Sequence, residues 1–450
     1  MKQTQFLDVV SREEASRRFK EAVAWTALGS ETVALANALY RVLGEDIAAP
    51  VDVPGFTRSN MDGFAVRAKD TFGASEEAPI TLTLTGEHLG AGVVPEEAVT
   101  EGVATVIATG GVVPRGADAV VMIEDCDVEG SGVEGGALIV RRAVAPGANL
   151  AHAGSDIARG EVVLREGCTL SSRETGVLAA LGLPEVRVVK KPRVTLFSTG
   201  DELLAPGAAP RDGFVFDSNS RILADAVREA GGQVFERGFL PDDEAHLSGA
   251  LKDAIDDSDL LLLSGGTSKG AGDLSYRVLE KFGEIVVHGV ALKPGKPIVL
   301  ARAGDTPVVI LPGFPTSAVF TFHEFVAPWI RARAGRMERG SPTKQARLAR
   351  AVTSVKGRTE FDLVHLIDSD EDAGGKGGLV AYPLGKGSGS VTTFSRADGF
   401  YRIPSADERR EAGESVEVTL LGDLHRPDLT VIGSHCTGLD LLLSDLRARG

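Results

Sequence analysis

The apolar positions of this chain change their spacing several times, and each change marks a new kind of element. Ser11 and Glu14 form a capping-box start, followed by Ala15, Phe19 and Val23 at helical spacing. A second run, about 33–43, closes at Gly44 and reads as another helix. From about 56 to 146 the period shortens to alternation, as in Thr81-Leu-Thr-Leu-Thr85, with many turn glycines. That texture predicts a small sheet or barrel. Residues 103–109 and 118–124 read as two of its strands, and 171–181 reads as a helix stopped by Gly182 and Pro184.

Beyond Lys191, strand, loop and helix alternate. A strand at 194–199 runs into a glycine turn, and Asp217-Ser218-Asn219-Ser220 opens a helix that ends at Gly231. The continuous apolar run 260–264 predicts a buried strand; a helix at 274–281, strands near 285–292 and 307–311, and a helix near 317–334 complete the unit. This order predicts an α/β domain with a largely parallel sheet, whose ligands sit beyond the strand C-termini. After about 340 short strands return, at 345–355, 360–366 and 416–420, as in a small all-β domain. Residues 429–438 read as one more strand and turn, followed by a short helix. One strand and one helix cannot bury a core, so this piece reads as the start of a further domain.

The stretch 260–273 carries the clearest chemistry. After four leucines come Ser264, Gly265, Gly266, Thr267, Ser268 and Lys269, with Asp273 closing the loop. Glycine frees the backbone to turn, bare amides and lysine attract an anion, and an aspartate suits Mg²⁺, which prefers oxygen ligands. The pattern is neither a Walker A loop nor a Gly-x-Gly-x-x-Gly dinucleotide fingerprint, which disfavours an ordinary P-loop NTPase or Rossmann dehydrogenase.

Composition narrows the function further. A chain of 450 residues should hold about three or four domains. A net charge of −15 argues against nucleic acid as the main ligand, since a phosphate-tracking surface needs excess lysine and arginine. Cys126, Cys168 and Cys436 form no Cys-x-x-Cys pair, and His88, His152, His246 and His323 show no transition-metal spacing. There is no signal-peptide core and no apolar run of about 18 residues, so the expectation is a cytoplasmic protein without a membrane segment.

Several motifs together resemble the MoeA family of molybdopterin molybdenumtransferases, which includes the E domain of gephyrin. They are Ser59-Asn-Met-Asp62-Gly-Phe-Ala-Val66, Thr109-Gly-Gly with 114–121, Ser198-Thr199-Gly200-Asp-Glu202, Asp217-Ser218-Asn219, Ser264-Gly265-Gly266-Thr267-Ser268, Lys293-Pro-Gly-Lys296-Pro and Leu311-Pro312-Gly313. The similarity runs in unbroken order over about 6–422.

The resemblance implies a multi-domain α/β plus β protein. It has an elongated first domain (1–55 and 147–190), an inserted β module (56–146), a molybdopterin-binding α/β domain (191–338) and a C-terminal β barrel (339–422). The residues 427–450 resemble the opening of a periplasmic-binding-protein-like domain. It also implies a homodimer whose cleft joins the α/β domain of one subunit to the first two domains of the other. The implied reaction uses Mg²⁺ and molybdate to turn adenylated molybdopterin into molybdenum cofactor with release of AMP; a molybdopterin-adenylating protein would act upstream.

By motif, Glu202, Asp273 and one of Asp242 or Asp243 would be metal-side carboxylates, Asp62 and Asp156 would come from the partner subunit, and Lys293 and Lys296 would contact phosphate or oxyanion. Thr109, Ser198, Thr199, Gly200, Asp217, Ser218, Asn219, Gly265, Gly266, Thr267, Ser268, Pro312 and Gly313 would line the cofactor. Two positions depart from the pattern: Phe314 stands where the family usually has asparagine, and Ala151 where it has arginine. A molybdopterin-binding sensor or scaffold is the rival reading that these departures motivate.

Overall fold

The computed structural model describes residues 9–130, 135–241, 243–265, 272–337, 342–369, 378–385, 387, 389–422, 424, 431 and 436–449, with only the backbone described at 237, 272 and 273. Residues 266–271, which include Gly266, Thr267 and Ser268, lie outside them, as does Asp242. So does most of the strand expected at 429–438; the helix expected after it spans Thr437–Ala448. The chain forms two compact units, 29–189 and 1–28 with 190–450.

The first helix, α1 (Arg12–Ala22), starts where the sequence places it, with Ser11 Oγ accepting the Glu14 amide at 3.2 Å. The grouping of 1–55 assigns α1 to the first domain. It packs instead on the α/β core, because its apolar face (Ala15, Phe19) and the adjacent Val10 and Val23 lie in one cluster with Val194, Leu260 and Leu300.

In the unit 29–189, the helix expected at 33–43 is absent. Ser30–Ala34 is a strand paired antiparallel with Glu185–Val189 in the register Val33↔Val186, and a single 3₁₀ turn, Leu35–Asn37, follows. Thr32 and Val33 are β-branched and suit a strand, and Tyr40 takes φ +60, which ends any helix. A long-range partner overrode the local pattern. The helix α2 (Ser172–Ala180) has the full capping box between Ser171 and Glu174. The alternating stretch 56–146 builds a six-stranded mixed sheet, with strand order Ala119–Met122, Gly63–Val66, Val103–Ile107, Ile80–Leu89, Ala137–Val140, Cys126–Glu129. Its buried residues Phe64, Val66, Leu82, Leu84 and Val121 form its own core.

The α/β sheet contains β1 (Arg193–Thr199), β2 (Gln233–Leu240), β3 (Leu260–Ser264), β4 (Glu284–His288), β5 (Val299–Ala303) and β6 (Thr306–Leu311), in the order β2-β1-β3-β6-β5-β4. Strands β2, β1, β3 and β6 pair in parallel; β5 runs against them, and β4, antiparallel to β5, runs with them again. The sheet is largely parallel, as expected, and is mixed only through its one reversed strand, β5. The cause is local: only Gly304 and Asp305 separate β5 from β6, and Gly304 takes φ +59, so the chain doubles back as a hairpin. Strand β3 is wholly buried, as its unbroken leucines predict.

Helices α3 (Asn219–Ala230), α4 (Glu244–Ile255) and α5 (Gly272–Glu280) connect strands, and α3 ends on Gly231 at φ +102. The final helix of this unit runs from Pro315 to Arg333 with a π-helical turn at Phe322–Val326, and Trp329 Nε1 donates to the Ala24 carbonyl at 2.9 Å.

The last described sheet closes on itself. Strands β7 (Thr343–Leu348), β8 (Thr359–Ser369), β9 (Gly378–Pro383), β10 (Gly399–Ile403) and β11 (Ser415–Leu420) pair as β8-β9-β7-β11-β10-β8, a five-stranded barrel. Alternation along β8 splits its side chains: Val364 and Leu366 fill the barrel, whereas Phe361 and Leu363 join the α/β core. Among the described residues, no helix is long and apolar enough to cross a membrane.

Candidate active site

The three central parallel strands end level with one another. Ser198 in β1 registers with Ser264 in β3, which registers with Leu311 in β6. The turns that follow are Thr199-Gly200, Gly265 and Pro312-Gly313, so most of the candidates from the middle of the chain gather at one sheet edge, as the switch-point rule requires. Gly265 takes φ +103, and a Cβ there would sit 2.4 Å from the Thr199 carbonyl oxygen. Only glycine fits.

Behind this edge lies a buried polar row. Ser198 Oγ donates to Asp217 Oδ2 at 2.6 Å, and the Ser220 amide donates to Asp217 Oδ1 at 3.0 Å, so Asp217 caps the start of α3. Asn219 Nδ2 donates to Ser264 Oγ at 3.0 Å and to the Gly313 carbonyl at 2.8 Å, which ties the ends of α3, β3 and β6 together. Asn219 is 8% exposed, and its Oδ1 is buried with no hydrogen-bond partner among the described residues. A buried acceptor left open costs free energy unless a ligand or water fills it. Ser218 is half-buried at the helix start and makes no capping bond.

Glu202 is exposed on the loop after β1. A Cβ at Gly200 would lie 2.7 Å from Glu202 Oε2, so the glycine leaves room for the carboxylate over the strand end. Asp243 is placed differently. It is the N-cap of α4, with Oδ1 accepting from the His246 amide at 2.9 Å and meeting His246 Nδ1 at 2.7 Å. Those bonds, the His246 amide first, hold its carboxyl below the usual range. Among the described residues, no group of three His, Cys, Asp or Glu side chains could hold a metal ion.

The Lys293-Pro-Gly-Lys296-Pro bend is neither exposed nor loose. A Cβ on Gly295, at φ +111, would meet Thr321 Cγ2 at 2.5 Å, so the turn is pressed against the last α/β helix. Both lysines are half-buried and line a cavity of about 260 Å³ together with Thr316, Ser317, Arg358 and Glu360. Arg358 and Glu360 come from the barrel and were not candidates in the sequence. They lie more than sixty residues beyond the lysines, and no local motif marks them.

In the unit 29–189, the Thr109 amide donates to Asp62 Oδ1 at 2.6 Å, and that bond together with the Thr109 hydroxyl holds the Asp62 carboxyl below the usual range. Both residues are exposed, as is Asp156. Ala151 pairs with Arg58 across a two-residue ladder, so an arginine stands opposite the position where the motif has one. Phe314 precedes the last α/β helix and is 63% exposed. It leaves the Asn219 to Gly313 bond intact.

Comparison with known proteins agrees with this geometry. Residues 10–182 match the model described as MoeA N-terminal region (domain I and II), 195–332 the probable molybdopterin binding domain, and 345–421 the MoeA C-terminal region (domain IV). The chain is 35% identical over 396 residues to molybdopterin molybdenumtransferase 2 of Mycobacterium tuberculosis, covering 86% of this chain and 94% of that one. It is 34% identical over 395 residues to the molybdopterin molybdenumtransferase of Bacillus subtilis, covering 87% and 90%. A crystal structure of the molybdopterin biosynthesis MoeA protein from Pyrococcus horikoshii superposes with a TM-score of 0.75 at 36% identity, over 92% of this chain and all of that one. Sequence identity along nearly the whole length, the order of the matched regions and the shared three-dimensional arrangement place this chain in the MoeA family of molybdopterin molybdenumtransferases, enzymes of molybdenum cofactor biosynthesis.

Proposed function

We propose that this chain inserts molybdate into adenylated molybdopterin in a Mg²⁺-dependent reaction that releases AMP. The observation that carries the reading is the shared wall of two sites. The turn that accepts the Asn219 bond at Gly313 continues into the helix whose Thr316 and Ser317 line the lysine cavity. A ligand lying along the strand ends would reach an oxyanion held in that cavity.

The polar start of α3 suits a pterin phosphate, which takes amide donors at a helix N-terminus, and the open Oδ1 of Asn219, an acceptor, suits an N–H donor of the pterin. Gly266, Thr267 and Ser268 would extend this cradle. Lys293 and Lys296 suit molybdate, a tetrahedral dianion that point charges bind without demanding one orientation.

Mg²⁺ would be held by Glu202 and Asp273, with Asp242 the remaining carboxylate candidate. The fit rests on donor chemistry: Mg²⁺ takes one or two carboxylates plus substrate phosphates and water, so a dedicated three-carboxylate cage is not required. Asp243 is committed to its helix cap. When bound, the metal would neutralise charge developing on the phosphoanhydride oxygens during cleavage. The chain's own part is to hold the two reactants in register and to place fixed cations beside them.

We assign the protein to the cytoplasm and to a homodimer in which Asp62, Thr109 and Asp156 of one copy complete the site of the other. Their exposure leaves them available to a ligand. A molybdopterin-adenylating protein would supply the substrate. The test is single-turnover AMP release with Mg²⁺ and molybdate, comparing the native chain with Asp273→Asn and Glu202→Gln. Molybdate-dependent release that disappears in both variants supports the reading; tight pterin binding with no AMP release from the native chain would make it a binder.

A further inference from the structure

We infer that Glu360 is a positioning residue for Lys293, fixing that ammonium at the wall of the cavity; this rests on the reading that the cavity takes the oxyanion. Glu360 is 3% exposed, and both of its carboxylate oxygens lie 3.2 Å from Lys293 Nζ. Ser354 Oγ donates to Glu360 Oε2 at 2.7 Å, a second bond that restrains the carboxylate. The two backbones are also joined. Leu292–Lys293 forms a short strand parallel to the start of β8, in the register Lys293↔Glu360, and Glu360 pairs with Ile403 of β10 in the closed barrel.

A lysine on its own is a poor instrument for this task. Its four-carbon stem carries about 2 kcal/mol of rotamer entropy, and its ammonium has no preferred plane. An oxyanion that had to gather such a charge would bind weakly. Here the stem begins on a bend that Gly295 presses against Thr321, and the head is held by a carboxylate that cannot move. The charge is therefore in place before the anion arrives, the condition under which a fixed group stabilises a ligand without reorganisation.

The pair also accounts for one of the two buried carboxylates, Glu360 and Asp362, in a cavity lined by Lys293, Lys296 and Arg358. Glu360 offsets one of these positive charges, and in exchange Lys293 cannot leave without stranding a buried anion, which is costly. The barrel thus orients a residue contributed by the α/β domain.

The experiment is a double-mutant cycle on the molybdate dependence of AMP release and on direct molybdate binding by equilibrium dialysis, using the full chain as Lys293→Met, Glu360→Gln and the double variant. Positioning predicts that Glu360→Gln raises the half-saturating molybdate concentration about 5-fold or more, while the rate at saturating molybdate changes by less than about 2-fold. In the Lys293→Met background the same change adds less than about 2-fold. An equal effect in both backgrounds, or none in the native one, overturns the inference.

If Lys293→Met leaves molybdate dependence unchanged, the oxyanion reading of the cavity fails first and the inference falls with it. Should Glu360→Gln fold poorly, Ser354→Ala, which frees the carboxylate while keeping its charge, should raise the same concentration with an unchanged melting temperature. No rise in that variant overturns the proposal.

Discussion

At the strand ends of the α/β domain, the polar side chains are buried and bonded to one another: Ser198 to Asp217, and Asn219 to Ser264 and Gly313. In the unit 29–189, Asp62 is exposed and held by a single residue, Thr109, while Asp156 is exposed on its loop. Both sets carry motif residues, yet their physics differs. The first is part of the packing, so altering it disturbs the scaffold and the site together. The second contributes little to folding and is free for a ligand to use.

The sharpest way to break this contrast is Asn219→Ala. It removes the bonds joining α3, β3 and β6 and should lower kcat/KM for AMP release by about 10²-fold, the scale of a small misplacement of reacting groups. A fall below about 3-fold would mean the row serves folding alone.

Gly265→Ala should come next. A side chain at φ +103 that meets the Thr199 carbonyl costs about 1–3 kcal/mol, visible as a lower urea midpoint.

The barrel supplies a pH test. Burial first, then the charge of Asp362, raises the Tyr401 hydroxyl well above the usual phenol range, and Tyr401 donates to Asp362 Oδ2 at 3.0 Å. A folded-state pKa above the unfolded one means this stability is complete below about pH 10 and is lost as pH rises further. Tyr401→Phe should cost about 1 kcal/mol at neutral pH and flatten the alkaline limb of the melting curve. An unchanged limb would assign it to other groups.

The smallest structural effects belong to the exposed carboxylates, and they separate ligands from caps. Asp62→Asn should leave the melting temperature unchanged at neutral pH but reduce turnover. Because the folded Asp62 pKa is depressed, its ionised form persists above the ordinary carboxylate range and is lost only as pH falls through the lower folded value, so any acid limb it owns lies below about pH 4. Asp243→Ala should do the reverse: it should lower the melting temperature slightly through the lost cap and leave Mg²⁺ dependence untouched. A changed Mg²⁺ dependence would return Asp243 to the metal-side set.

Much was legible without coordinates, where local chemistry and short-range geometry decide. The N-cap at Ser11, the capping box at Ser171, the buried leucines of β3, the αL stop at Gly231 and the glycine turn at Gly265 are all written in residue type and spacing. The motif order also indicated the family and the multi-domain α/β plus β architecture.

What tertiary structure decided were the outcomes that depend on a distant partner. Residues 30–34 became a strand because Glu185–Val189 was there to pair with them, and α1 joined the α/β core because its apolar face found one. Lys293 met Glu360 through a placement that no spacing along the chain encodes, whereas the Asp243 cap is a bond only three residues long. A sequence specifies the periods and the turns; which faces meet is settled only when burial and long-range pairing are satisfied together.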